Sequence, residues 1–114
     1  MQTLFRFKAP QDSKFRTKLT PAGSVGASGK WFEPDGDGFV EGKGWNFEEL
    51  TRPSEVSRTM SSKGRYQAST TVSPTSGGSG TLVVWVEEPG GTVQARPPVL
   101  IDTTATIDAF IHVK

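Results

Sequence analysis

The 114-residue chain contains no cysteine, one histidine and one tyrosine. The first absence excludes disulfide frameworks, thiolate nucleophiles and cysteine-ligated zinc or iron–sulfur sites, and it favours a reducing compartment. A lone histidine, His112, cannot supply a histidine-rich metal site within one subunit, and any Ser-His-Asp triad would have to be built on it alone. Long apolar runs are missing as well: no segment approaches the roughly 18 apolar residues of a membrane-spanning helix. The opening Gln2-Thr3-Leu4-Phe5-Arg6-Phe7-Lys8 has neither the basic start nor the unbroken apolar stretch of a secretory signal. The expectation is a soluble product without a cleaved export signal, with no membrane partner and no cofactor.

What is present is period-2 alternation. From Val99 to Lys114 the odd positions carry Val99, Ile101, Thr103, Ala105, Ile107, Ala109, Ile111 and Val113, and most even positions are polar, which predicts one long half-buried strand. Thr3 to Lys8 and Ser13 to Thr20 alternate in the same way, and the second would present Lys14, Arg16 and Lys18 in a row opposite Phe15, Thr17 and Leu19. The runs Tyr66–Val72 and Leu82–Val86 predict an antiparallel pair. Phe39–Trp45 and Thr92–Ala95 predict short strands, and Asn46 followed by Glu48 and Glu49 predicts at most one short helix near 46–52, ended by Pro53. Glycine, proline and serine clusters predict flexible loops near 22–30, 34–38 and 74–80.

Seven or eight short strands in a chain of this length predict one all-β domain spanning 1–114. The expected architecture is an antiparallel β-sandwich, with a small β-barrel as the alternative. The expected core includes Phe5, Phe7, Phe15, Leu19, Val72, Val84, Trp85, Ile101, Ile107 and Ile111.

Net charge is only +1, yet its distribution is uneven. Residues 1–30 carry six cations against Asp12, and residues 31–60 carry seven acids against Lys43, Arg52 and Arg58. A basic third and an acidic third can steer a partner or a second copy. The segment Asp35-Gly36-Asp37-Gly38 with Glu41 invites a calcium reading, but an EF-hand needs a third oxygen ligand where Phe39 stands and a glutamate where Asn46 stands. A plain acidic turn is the reading kept, and no metal site is expected.

These features predict a non-enzymatic structural protein that docks onto copies of itself or onto a larger assembly. The expected contacts are Lys14, Arg16 and Lys18 on one side and Asp35, Asp37 and Glu41 on the other. Composition and architecture are similar to those of small virion proteins of tailed bacteriophages, such as decoration (cement) proteins and small tail or baseplate components, and no motif carries the comparison. The expected location is accordingly the virion or the cytoplasm. Two alternatives stand beside it. Lys14, Arg16 and Lys18 with Arg6, Lys8 and nearby phenylalanines could hold single-stranded nucleic acid, and Trp31 and Trp45, flanking a glycine-rich segment, could form a platform for sugar rings.

Overall fold

A computed structural model describes residues 2–23, 25–50, 52–72, 79–95, 99–102 and 109–112. Among the described residues eleven strands form two facing sheets: β1 (Gln2–Ala9), β2 (Lys14–Ala22), β3 (Val25–Asp35), β4 (Gly38–Glu41), β5 (Trp45–Leu50), β6 (Ser54–Thr59), β7 (Gly64–Val72), β8 (Ser79–Glu87), β9 (Val93–Ala95), β10 (Val99–Asp102) and β11 (Ala109–His112). Sheet A runs β11-β1-β7-β3-β4 with β5 also on β3, and sheet B runs β10-β8-β2-β6 with β9 also on β8. All pairings are antiparallel except β1 with β11, which is parallel. The all-β sandwich is therefore the fold.

Each sheet contains one long strand whose returning neighbour is broken in two. Along β3, β4 pairs with Phe32–Asp35 and β5 with Val25–Gly29; along β8, β9 and β10 divide the work in the same way. The break at Gly42-Lys43-Gly44 is held by Arg58, whose Nη2 donates to the Gly44 carbonyl at 2.7 Å and whose Nε donates to the Lys43 carbonyl at 3.0 Å. Its guanidinium lies over the Trp45 ring, 5.5 Å from the centroid.

The core is aromatic and bridges the sheets. Phe7 of β1 stacks on Phe15 of β2 at 5.3 Å, and Trp31 of β3 packs against Phe15 at 5.2 Å and Tyr66 at 5.3 Å. Tyr66 also donates its hydroxyl to the Ser62 carbonyl at 2.6 Å, which ties the β6–β7 connection to the core in the manner of a tyrosine corner. Trp45 lies flat on Gly29, where a Cβ would overlap the indole. That close approach is why glycine stands in the middle of β3.

Several expectations change. Residues 25–30 are strand, not loop, because they pair with β5 and β7 and Gly29 receives the indole of Trp45. Asn46–Leu50 is strand, not helix: pairing with β3 and burial of Trp45 and Phe47 on one face outweigh the local capping signal. Tyr66–Val72 and Leu82–Val86 do not pair, since β7 lies in sheet A and β8 in sheet B. The run from Val99 supplies two short strands, β10 in sheet B and β11 in sheet A, so no single strand spans it. Phe5, Phe7, Phe15, Leu19 and Val84 are buried as expected. Trp85 is only half-buried, because the alternation of β8 turns Leu82, Val84 and Val86 inward and Trp85 outward. The side chains of Val72, Ile101, Ile107 and Ile111, and the segment 74–78, lie outside the described residues.

Two substitutions test this packing. Gly29→Ala pushes the Trp45 indole off its seat and is expected to lower unfolding free energy by about 1–3 kcal/mol in urea titration. Thr17 is fully buried in the core and its hydroxyl makes no hydrogen bond among the described residues. Thr17→Val is therefore expected to raise stability by about 1 kcal/mol, and a loss of stability would show that the hydroxyl is satisfied.

Candidate functional site

Lys14, Arg16 and Lys18 do project from one face, the outer face of sheet B, as alternation requires. Arg16 is engaged within the chain, and the two lysines face carboxylates across the strands. Arg16 Nη1 donates to Glu55 Oε1 at 3.1 Å, and its Nε lies 3.1 Å from Glu87 Oε1 without the alignment of a hydrogen bond, so this second contact is an ion pair. Lys14 stands directly opposite Glu87, and Lys18 directly opposite Glu55. Three cations interleave with two carboxylates and largely cancel. The Trp85 indole N–H donates to Glu87 Oε1 at 3.0 Å, which with Arg16 holds this carboxyl below the usual glutamate range. Arg16 is in turn held above its ordinary value, first by Glu87 and then by Glu55.

Asp35, Asp37 and Glu41 sit on the β3–β4 hairpin, which protrudes from sheet A. Its loop has two residues, Gly36 and Asp37, with Gly36 at φ +58°, the pattern of a type II′ turn. This explains the turn signal in the sequence, although Pro34 and Asp35 belong to the strand. The three acids do not converge. Glu41 lies opposite Phe32 and faces outward, whereas Asp35 shares the parity of Glu33 on the other side. Among the described residues no group of three or more His, Cys, Asp or Glu is placed to hold a metal ion.

Every residue of β4 is exposed, including Phe39 at 42% and Val40 at 47%. These two were missed in the sequence reading. The signal was available: adjacent apolar residues on one strand must face opposite sides, so one of them leaves the core. Val40, on the side of Glu33, is exposed as well. Among the described residues β4 pairs only with β3, which leaves its far edge open.

The outer face of sheet A carries a second set of charges that the sequence did not group. Arg6 and Lys8 of β1, Arg65 of β7 and Lys30 of β3 are all exposed there, and Arg6 Nε donates to Gln67 Oε1 at 3.0 Å. Lys8 and Arg65 are direct cross-strand partners, a like-charge pairing that disfavours the folded sheet. Among the described residues the only ion pairs are those of Arg16. Beside Lys8, an open groove of about 480 Å³ runs past Lys63, Glu88 and Gln94.

Trp31 and Trp45 are buried, at 1% and 8% exposure, so the expected sugar platform is part of the core. The side chain of His112 lies outside the described residues. Comparison with models of known protein families, with curated proteins and with solved structures finds no match to this chain.

The ion-pair row makes a pH prediction. The Glu87 carboxyl is lowered on folding, so its ionised form favours the native state above the ordinary glutamate range, and that contribution is lost as pH falls through the lowered folded value. Glu87→Gln is expected to flatten this part of the acid-side decline in melting temperature. An unchanged slope would show that the Trp85–Glu87–Arg16 contacts do not bear on stability.

Proposed function

We propose that this chain is a non-enzymatic assembly module that docks onto other protein surfaces through the β3–β4 hairpin. The observation that carries the reading is β4 itself: a wholly exposed edge strand that projects Phe39 and Val40 to opposite sides and is flanked by Asp35, Asp37 and Glu41. Natural sheets blunt exposed edges with short strands, lysine, proline or bulges. Shortness alone guards this one, and its two central side chains are apolar. Acids around an apolar centre give a docking site a polar rim. Within this reading, a small cysteine-free β-sandwich of this kind fits a virion component such as a capsid decoration or small tail protein.

Single-stranded nucleic acid is the second reading, moved from its expected place. The row Lys14, Arg16 and Lys18 is matched by Glu55 and Glu87, whereas Arg6, Lys8 and Arg65 are not ion-paired among the described residues. Phe32 and Phe39, the aromatics on this outer face among the described side chains, lie beside Glu41, which repels phosphate. The assembly reading is the stronger of the two.

The test replaces the two exposed apolar side chains. Phe39→Ser with Val40→Ser is expected to change unfolding free energy by less than about 0.5 kcal/mol, because neither side chain contributes to the core. The same variant is expected to weaken association about tenfold, read by light scattering across concentration. Association that is indifferent to both substitutions would remove the hairpin from the mechanism.

A further inference from the structure

The outer face of sheet A is divided. In the row that contains Arg6, the strands present in order Arg6 of β1, Gln67 of β7, Phe32 of β3 and Glu41 of β4. One step along the strands, Lys8 stands beside Arg65 on the β1–β7 side, and Pro34 beside Phe39 on the β3–β4 side. Three cations therefore occupy the β1–β7 half of the face, and exposed aromatic surface with a carboxylate occupies the β3–β4 half, where Lys30 is the one cation. Asp37 in the turn extends the acidic half, whereas Asp35 lies on the opposite side of the sheet.

We propose that this face is a self-complementary interface, covered by a second copy of the same chain. The inference rests on the assembly reading and names its partner. A two-fold axis lying in the interface and running along the strands between β7 and β3 exchanges the two halves while preserving position along the strand. It lays β4 of one copy over β1 of the other, so Arg6 meets Glu41 across the interface and Lys8 meets the ring of Phe39. The same operator makes both contacts twice, which is the property of an isologous pair. Aligned packing of this sort is how sheets stack face to face within sandwiches.

Three observations favour a second copy over other occupants. The two halves complement each other and are carried by a single chain, so no further partner is needed to balance them. The direct opposition of Lys8 and Arg65, unfavourable in the isolated sheet, is relieved when an acidic and aromatic surface closes over it. The available area also suffices: the molecule measures 38 by 27 by 21 Å, and its broad side exceeds the roughly 800 Å² per partner that a standard interface buries. A polyanion, by contrast, would be drawn to the Arg6–Lys8–Arg65 half and repelled by the other.

A charge-swap experiment tests the proposal. One variant carries Asp37→Lys with Glu41→Lys, and a second carries Arg6→Glu, Lys8→Glu and Arg65→Glu, all at exposed positions. In light scattering at low salt, the wild type is expected to dimerise, and each variant alone is expected to self-associate about tenfold more weakly or worse. Mixing the two is expected to restore a dimer, because each variant now presents two like-charged halves that match the other variant. Recovery in the mixture also shows that both variants are folded.

A wild type that self-associates with both variants unchanged would overturn this interface and leave the assembly reading standing. A wild type monomeric at every concentration and salt would overturn both. A monomer whose Arg6–Lys8–Arg65 half retains a single-stranded oligothymidylate, with loss of binding in the second variant, would replace the second copy with nucleic acid.

Discussion

Trp31 lies between Phe15 of the opposite sheet and Tyr66 of its own, with ring centroids 5.2 and 5.3 Å away. This cross-sheet stack sets the separation of the two layers and the rotation of one against the other. Phe7 completes it by touching Phe15, Trp31 and Tyr66. Because most of the described aromatic rings are spent inside, the outer faces carry mainly charged and small side chains, with Trp85, Phe32 and Phe39 as the outward aromatics. The surface chemistry of the protein follows from where these rings point.

The two outer faces then resolve their charges differently. On sheet B, carboxylates stand directly opposite the lysines and pair with Arg16, so the face is neutralised from within and has little left to offer a charged partner. On sheet A, cations collect over β1 and β7, while the acids sit across β3 on the hairpin. Phe32 and Pro34 hold Arg6, Lys8 and Arg65 apart from Glu41, and Lys30 is the one cation on the acidic side; none of these is ion-paired among the described residues. The basic and acidic thirds of the sequence are thus separated in space on one face and intermingled on the other.

The sequence made β1 and β2 legible because each alternates without interruption, and the buried set Phe5, Phe7, Phe15 and Leu19 follows directly. It also exposed the acids of the hairpin, since Asp35-Gly36-Asp37-Gly38 can do little but turn. Alternation fails where every residue is apolar: in Leu82-Val83-Val84-Trp85-Val86 the inward face is ambiguous, and the largest side chain turned out to be the wetter one. Local signals fail where a distant strand decides. Glycines around Trp31 and Trp45 read as a loop, but Gly29 is the seat of the Trp45 indole, and only pairing with β5 brings the two together. The cations of sheet A went ungrouped for the same reason, because Arg6, Lys30 and Arg65 come from strands distant in sequence.

The path of the chain has a further consequence for how the molecule comes into being. Of the ten steps between successive described strands, six pass from one sheet to the other, so most of the pairing waits for segments far apart in sequence to meet. Such topologies fold slowly. The β3–β4 turn, closing over two residues, and the β8–β9 turn, closing over residues 88–92, are local exceptions. The hairpin that carries Phe39 and Val40 therefore takes shape while the layers that will flank it are still unassembled. During synthesis in a crowded polysome, neighbouring nascent chains present that same edge to one another before either has a core, and the pace of sandwich closure governs how long they do so.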